Sequence, residues 1–235
     1  MSTGEAREAQ APREERETPE VVDAIRRCQQ GDIAGLGALA ARFQAPAVRL
    51  AYLLTGDPEL ADDVAQDSFL LAYRGIRRFR LGEPFAPWFY RIVTNTARQQ
   101  LRYARRRREI SLDSLLPNDT QIRQRDSSAS AALASQSGAA EQADPAARAE
   151  RAEAHDALVA ILETLPHKQR EAVVLRYYLG YSDQQIATML GRRVGTVQQR
   201  LHAGRASLRQ AIRQRAPWLL SALSTQSASE QREVF

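Results

Sequence analysis

The sequence lacks the residues from which disulfide frameworks, metal sites and most active sites are built. Its single cysteine, Cys28, excludes an internal disulfide, and the scattered histidines His155, His167 and His202 do not have metal-ligand spacing. It contains no glycine-rich phosphate loop and no paired nucleophile and base. We therefore expect a protein that is not an enzyme and that uses no metal and no cofactor.

Long apolar segments are missing as well. The most apolar stretch, residues 47–54, is short and is interrupted by Arg49, so it cannot span a bilayer. The N-terminus carries no apolar signal segment. These absences predict a cytoplasmic protein without a membrane partner.

Acidic residues are scarce in two parts of the chain. Residues 74–108 hold eleven arginines and one acid, Glu83, and residues 165–215 hold ten basic residues against Glu171 and Asp183. Residues 109–156, in between, hold nine acids and four arginines. Two basic segments around an acidic spacer indicate two modules that face nucleic acid.

Alternation of apolar and polar residues, the pattern of β-strands, is also absent. Apolar residues recur at helical spacing instead, which predicts an all-α fold of two small helical domains joined by a flexible linker. Composition sets the expected boundaries: a disordered tail over 1–17, a first domain over 18–108, an acidic and polar linker over 109–144, a second domain over 145–215 and a C-terminal tail over 216–235.

Capping residues and prolines predict where the helices of the first domain begin. Pro46 is expected to interrupt one of them, because proline has no N–H to donate and its ring clashes with the preceding turn. The predicted starts are Thr18-Pro19, Asp32, Val48, Asp57-Pro58 and Trp88, the last two helices running to about Ile76 and Arg107.

The most informative local pattern lies in the second domain. Ser182 and Gln185 have the spacing of a capping box, Gly191 permits a tight turn, and a longer helix over 194–212 follows. This order is typical of a helix-turn-helix, although an ordinary helical hairpin is the alternative. Polar and basic groups on the outer face of the longer helix favour DNA binding.

Short motifs occur in a fixed order along most of residues 20–215. The first set is Gly31-Asp32, Ala61-Asp62-Asp63-Val64, Phe79-Arg80, Trp88 and Asn95, and the second is Leu165-Pro166, Arg170-Glu171, Ser182, Gly191, Gly195-Thr196-Val197 and Arg200-Leu201. Each motif is weak alone, but the ordered set resembles regions two and four of extracytoplasmic-function (ECF) RNA polymerase sigma factors. The resemblance implies a subunit that binds core RNA polymerase and directs promoter recognition, strand opening and transcription initiation.

The resemblance also implies the partners. They are promoter DNA, the clamp helices of the largest polymerase subunit and the flap of the second-largest subunit, with an anti-sigma factor as a further candidate. On the helix that starts at Pro58, one polar face is expected to dock on the clamp helices: Glu59, Asp62, Asp63, Gln66 and Asp67. Periodicity alone would also allow a merely solvated acidic face.

Aromatic residues are few, yet five of them fall between residues 79 and 90 among arginines. Aromatic rings can stack on unpaired bases while arginines hold the backbone, which a promoter-melting element requires. Trp88 and Phe89 are expected to pack inside. Phe79, Arg80 and the loop from Leu81 to Phe85 are expected to capture a base. The residues assigned to binding and melting of the minus-ten element are Phe79, Arg80, Phe85, Trp88, Arg91, Asn95, Arg98 and Arg102, with 105–108 adding phosphate contacts.

The longer helix of the helix-turn-helix offers side chains that can read bases. Glutamine pairs with adenine and arginine with guanine in the major groove. The residues assigned to the minus-thirty-five element are Arg176, Arg192, Thr196, Gln198, Gln199, Arg200, His202 and Arg205. Many family members carry Lys-Ser in place of Gln198-Gln199, so the preferred sequence stays open.

A second class of protein also fits part of the pattern. A helix-turn-helix regulator would bind duplex DNA without docking on polymerase. The aromatic and arginine cluster favours the sigma factor, because a duplex-binding regulator has no need to trap single strands.

Overall fold

The computed structural model describes residues 18–113 and 145–218, which form helices joined by short turns. The predicted tail over 1–17, residues 114–144 of the predicted linker and most of the predicted C-terminal tail lie outside the described residues. Eight α-helices lie within them: α1 (Pro19–Gln29), α2 (Ile33–Thr55), α3 (Pro58–Gly75), α4 (Phe85–Asp113), α5 (Pro145–Glu163), α6 (His167–Tyr177), α7 (Asp183–Leu190) and α8 (Val194–Arg215). We refer to α1–α4 as the N-terminal module and to α5–α8 as the C-terminal module.

The all-α class predicted from the sequence is confirmed. In the part of the chain that the structure describes, the extended residues pair only in one isolated bridge, between Leu81 and Glu83. The predicted caps act as expected at two helices, since the Asp32 carboxylate accepts a hydrogen bond from the Ala34 N–H at 2.8 Å and Asp57 accepts one from Leu60 at 3.1 Å. Thr18 precedes α1, but its side chain makes no capping bond.

The expected interruption at Pro46 is wrong. Helix α2 runs without a break from Ile33 to Thr55 with Pro46 inside it. A proline inside a helix costs about 3 kcal/mol. Buried residues on both sides of the proline, among them Phe43, Ala47 and Leu50, pack into the core and keep the two halves in line.

Helix α4 is longer than predicted at both ends. It begins at Phe85 rather than Trp88 and continues to Asp113, beyond the expected end at Arg107. Pro87 lies in its first turn, where the missing N–H has no partner to lose. The run of arginines from 105 to 108 therefore lies on a helix that continues past it.

The helix-turn-helix predicted in the C-terminal module is present. Ser182 and Gln185 form the reciprocal capping box, with the Ser182 hydroxyl accepting from the Gln185 N–H at 3.2 Å and the Gln185 side chain accepting from the Ser182 N–H at 2.8 Å. Gly191 ends α7 in the left-handed conformation, at φ 60°, which glycine adopts without steric cost. These local features turn α8 away from α7.

The two modules contact each other and share one apolar cluster. The C-terminal half of α2 packs on α5 and α6, and α4 packs on α7. Leu50 and Leu54 of α2 belong to the same buried cluster as Val159 and Leu162 of α5. The described residues thus form a closed arrangement, in which parts of α2 and α4 are covered by the C-terminal module.

Candidate nucleic-acid interface

Helix α3 presents the acidic face that the sequence predicted. Alanine and other apolar side chains, including Ala61, Val64 and Phe69, are buried on the opposite face. The polar residues Glu59, Asp62, Asp63 and Gln66 are exposed. Asp67 is half-buried and accepts a hydrogen bond from the Gln100 side chain of α4 at 3.2 Å. Leu70 and Leu71, 49% and 43% exposed, extend this face with apolar surface.

The aromatic residues form a packed cluster rather than an open platform. Phe79 is 6% exposed and Phe85 is 1% exposed, with their ring centroids 5.8 Å apart. The Trp88 ring lies 5.0 Å from the Phe79 ring and is only partly buried. Phe89 is completely buried, as expected. For the other two rings the expectation is wrong in the described conformation: Phe79 is packed inside, and Trp88 keeps exposed surface.

A side chain of α1 holds the backbone at Phe79. The Gln29 amide donates hydrogen bonds to the backbone oxygens of Ile76, at 3.0 Å, and Phe79, at 2.8 Å. These bonds fix the 3₁₀ turn over Ile76–Arg78 against α1. The pattern of residues 76–85 gave no sign of this contact, because Gln29 lies about fifty positions earlier in the chain.

The loop after Phe79 is exposed to solvent. Residues 80–84 are all exposed, among them Arg80 and Leu81, which is 44% exposed. Gly82 has φ 99°, a conformation that favours glycine. Arg77 and Arg78 are exposed just before the loop. The exposed Leu81 thus follows three exposed arginines closely in the sequence.

The polar stripe of α4 is exposed at three of its four predicted positions. Arg91, Asn95 and Arg102 face solvent, and Tyr103, 65% exposed, lies beside the stripe. Arg98 differs, because its guanidinium forms an ion pair with Glu171 of α6 and also donates to the Asn95 side chain at 3.4 Å. The sequence placed Arg98 on the stripe but did not indicate this partner.

The C-terminal module brings several predicted residues together around one groove. Its volume is about 370 Å³, and it is lined by Arg176, Tyr177, Asp183, Gln198, Leu201, His202 and Arg205. Four of these were predicted to contact the minus-thirty-five element. Tyr177, 60% exposed, also lines the groove but was not predicted from the sequence. The available signal was its position beside Arg176, in the run Arg176-Tyr177-Tyr178.

The remaining predicted residues of this module lie around α8. Arg192, in the turn, and Gln199, on the outer face, are exposed, whereas Thr196 and Arg200 are half-buried. Arg176 donates a hydrogen bond to the backbone oxygen of Tyr181 at 3.0 Å. This guanidinium therefore holds the chain that leads into α7, in addition to lining the groove.

Polar contacts between the modules were also missed by the sequence analysis. Arg170 of α6 is buried and donates to the backbone oxygen of Leu54 at 3.0 Å and to that of Glu163 at 2.7 Å. The rings of Tyr52 and His155 stack with centroids 5.8 Å apart. One signal of a buried polar contact was present in the sequence. There, an apolar run directly follows the charged residues Arg170 and Glu171.

Burial shifts the pKa of several groups at this contact. It lowers the pKa of His155 and of His167, whose two ring nitrogens have no hydrogen-bond partner. Burial also lowers the pKa of Arg170 and raises the pKa of Tyr181 well above its usual range. Burial disfavours the charged form of each of these groups.

Membrane-spanning helices and groups of metal ligands are both absent from the described residues. Between residues 18 and 113 and between 145 and 218, no helix is both long and apolar enough to cross a membrane. In those two ranges no three His, Cys, Asp or Glu side chains are grouped as metal ligands. Among the described residues, the candidate binding surfaces are thus the acidic face of α3, the basic surface of α4 and the helix-turn-helix.

An acidic face on one helix, a basic stripe on the next and a separate helix-turn-helix define a two-module protein of the transcription machinery. Residues 39–107 match the family described as Sigma-70 region 2, and residues 155–208 match Sigma-70, region 4. The first match covers α3 and the basic part of α4, and the second covers the helix-turn-helix.

Individual proteins agree with these matches. The chain is 31% identical to the RNA polymerase sigma-H factor of Pseudomonas aeruginosa over 189 residues, 80% of this chain and 91% of that protein. It is 32% identical to the ECF RNA polymerase sigma-E factor of Salmonella typhimurium over 188 residues, 78% of this chain and 90% of that protein. The chain therefore belongs to the ECF RNA polymerase sigma factors, and it directs transcription initiation.

A solved structure shows the same fold. It is the sigma factor RpoE in complex with the anti-sigma factor NepR from Bartonella quintana, and the similarity has a TM-score of 0.52 at 21% identity. It covers 80% of this chain and 98% of that chain. The similarity extends over both helical modules.

Proposed function

We propose that the chain divides the work of a sigma factor among three surfaces. The acidic face of α3 docks on core RNA polymerase, the loop over 80–84 and the stripe of α4 bind and melt the minus-ten element, and α8 reads the minus-thirty-five element. The observation that carries this proposal is the opposite charge of neighbouring helices: exposed carboxylates on α3 and exposed arginines on α4. A carboxylate face repels phosphate, so α3 is suited to a protein partner.

The polymerase contact is expected on the clamp helices of the largest subunit. Asp62 and Asp63 are exposed near the start of α3, and Leu70 and Leu71 follow at its end. Opposite charges steer the encounter, while apolar side chains supply buried area. The C-terminal module is assigned to the flap of the second-largest subunit.

Promoter melting is assigned to the exposed residues of the N-terminal module. Arg80 and Leu81 of the loop, with the exposed part of Trp88, offer surface for a flipped base. Arg91, Asn95 and Arg102 offer donors along α4. Phe79 and Phe85 support this surface from below, since both are buried.

The minus-thirty-five contact is assigned to the groove and to the first turns of α8. Gln198 and Gln199 are exposed there and can pair with adenine. Arg192, His202 and Arg205 supply phosphate or base contacts. An anti-sigma factor is a further partner in this proposal, because the similar RpoE structure is a complex with one. A chain with these partners would act in the cytoplasm and would carry out no catalysis itself.

Reconstituted transcription tests the proposal. With purified core polymerase and genomic DNA fragments, the parent chain is expected to produce run-off transcripts from a limited set of promoters. Asp62→Arg with Asp63→Arg should abolish these transcripts and the pull-down of core polymerase, because the docking face loses its net negative charge.

The control reverses two exposed acids elsewhere. Asp23→Arg with Glu153→Arg makes the same change of charge on α1 and α5, and it should leave transcription intact. Circular dichroism should show the same helicity for all three proteins. Normal polymerase binding by the α3 variant would contradict the docking role. Binding of duplex promoter DNA without polymerase at full affinity would favour a helix-turn-helix regulator instead.

A further inference from the structure

The last residue of α1 reaches the start of the exposed loop over 80–84. Gln29 is half-buried, and its side-chain amide donates to the backbone oxygens of Ile76 at 3.0 Å and Phe79 at 2.8 Å. Both hydrogens of the amide nitrogen are therefore used, one for each oxygen. Phe79 is directly followed by Arg80, the first residue of the loop. Gln29 thus holds the loop at the point where it begins.

The carbonyl groups that Gln29 contacts lie where regular structure ends. Helix α3 ends at Gly75, and the 3₁₀ turn Ile76–Arg78 follows it. The last carbonyl groups of a helix have no partner within the helix, so side chains or water must satisfy them. A glutamine that belongs to α1 ties these groups to one position, which exchanging water molecules cannot do.

Gln29 is itself fixed by the turn between α1 and α2. Arg27 and Asp32 form an ion pair across this turn, with Nε 2.8 Å from Oδ2. The Tyr73 hydroxyl of α3 donates to the backbone oxygen of Gly31 at 3.3 Å. The amide that holds the loop therefore comes from a braced turn and not from a frayed helix end.

The Trp88 ring rests on the segment that Gln29 holds. Its centroid lies 5.0 Å from that of the Phe79 ring, and a Cβ added at Gly75 would come within 3.4 Å of the indole. The ring thus lies over both ends of the 3₁₀ turn, and part of its surface stays exposed. Movement of the Phe79 backbone would therefore shift the Trp88 ring and the start of the loop together.

We propose that Gln29 is a positioning residue for promoter melting, which presents Trp88 and the loop over 80–84 to an unpaired base in one conformation. The inference rests on the proposed assignment of this surface to strand opening. Gln29 acts through the backbone at Ile76 and Phe79 and requires no contact with DNA. A loop that is ordered beforehand loses less conformational freedom when it captures a base, so more of the stacking free energy keeps the strands apart.

The inference separates two adjacent glutamines. Gln30 follows Gln29 in the sequence and is exposed. Methionine has nearly the length of glutamine and offers no donor, so Gln29→Met removes the two hydrogen bonds and Gln30→Met is the matched control. Gln29→Lys puts back a donor, because an ammonium group can donate to both oxygens.

Strand opening by the reconstituted holoenzyme tests the role. On a linear promoter, Gln29→Met is expected to lower the permanganate reactivity of minus-ten thymines about fivefold or more, because two hydrogen bonds are lost. Pull-down of core polymerase and retention of the duplex promoter on ice should match the parent. Gln30→Met should open the promoter as the parent does, and Gln29→Lys should recover most of the loss.

A template that is mismatched over the minus-ten element distinguishes positioning from unfolding. Its strands are already apart, so Gln29→Met should transcribe it nearly as well as the parent. An unfolded variant would instead lose transcription on both templates, together with the pull-down of core polymerase.

Tryptophan fluorescence of the free chain reports on the turn directly. In a Trp218→Phe background, Trp88 is the one remaining tryptophan. Acrylamide should quench its fluorescence more strongly in Gln29→Met than in Gln30→Met, because the segment beneath the ring is no longer held. Equal quenching in the two variants would contradict the positioning of Trp88 by Gln29.

The outcomes separate this inference from the proposed function. Arg80→Ala with Leu81→Ala removes side chains of the loop itself and should also impair opening. If this loop variant fails to open the promoter while Gln29→Met opens it normally, the positioning role is overturned and the melting role of the loop stands. Equal losses of Gln29→Met on the two templates, or no recovery in Gln29→Lys, would also overturn the positioning role. If the loop variant and Gln29→Met both open the promoter as the parent does, the melting assignment fails as well.

Discussion

At the residue scale, neighbouring side chains of α8 differ in exposure. Gln198 and Gln199 lie on the first turns of α8 and are exposed, where the residues of a recognition helix meet base edges. Val197, beside them, is completely buried and anchors the helix in the module. With the reading role proposed for Gln198 and Gln199, we expect single substitutions on α8 to separate specificity from stability.

Replacement of Gln199 is expected to change specificity. Gln199→Ala should weaken minus-thirty-five binding by about 1–3 kcal/mol on the preferred promoter and relax the preference at one or two base pairs, because a bidentate pair is lost. Binding of a randomised promoter library by the reconstituted holoenzyme, followed by sequencing, measures both effects.

Two further variants serve as controls for base recognition by Gln199. Gln210→Ala makes the same change on an exposed part of α8 far from its first turns, and it should leave the library unchanged. Arg106→Ala, on the basic end of α4, should weaken binding evenly across sequences and lower its salt dependence. If Gln199→Ala also weakens binding evenly across sequences, Gln199 does not read bases.

At the element scale, the crossing of α1 and α2 depends on one small residue. Gly35 is buried, and a Cβ there would lie 2.5 Å from the backbone oxygen of Ala24 and 2.9 Å from the Cys28 Sγ atom. Gly37, two positions later on α2, is exposed and a Cβ there would meet nothing within 4 Å. Close packing therefore requires glycine at one position only.

The two glycines are expected to respond oppositely to the same substitution. Gly35→Ala should destabilise the chain by about 1–3 kcal/mol, because backbone atoms of α1 must move. Gly37→Ala should stabilise it by about 0.5–1 kcal/mol, because alanine loses less backbone entropy in a helix. Urea unfolding followed by circular dichroism measures both. Equal effects at the two positions would contradict the close crossing of α1 and α2.

At the scale of the whole molecule, the contact between modules contains two histidines that burial keeps neutral. His167 faces Glu171 and Arg170 on its own helix and Arg98 and Arg102 on α4. His155 is stacked on Tyr52, with Asp156 and Arg49 near it. Protonation of His167 would add a positive charge beside three arginines, which the closed state disfavours.

The closed state should therefore weaken in acid. Because the pKa of each histidine is lowered in the closed state, the open chain binds protons more readily. The contact is stable above the ordinary histidine pKa of about 6.5 and loses stability as the pH falls below it. The radius of gyration of the free chain is expected to rise as the pH falls below about 6.5.

Histidine variants identify the groups responsible for the pH dependence of the radius of gyration. His155→Phe with His167→Leu should reduce this rise, since neither replacement takes up a proton. His202→Gln should leave it unchanged, because His202 is exposed on α8 and outside the contact. A rise that persists in the double variant would assign the pH dependence to other groups.

The sequence by itself determined the helical class, most helix starts, the helix-turn-helix and the acidic and basic faces. These features depend on local causes: a cap such as Asp32 bonds within its own turn, and a periodic stripe defines a face of one helix. Tertiary structure alone decided that Pro46 lies inside a continuous helix, that Phe79 is packed inside and that Arg98 pairs with Glu171. Each of these depends on residues distant in the chain, whose packing or charge outweighs the local preference.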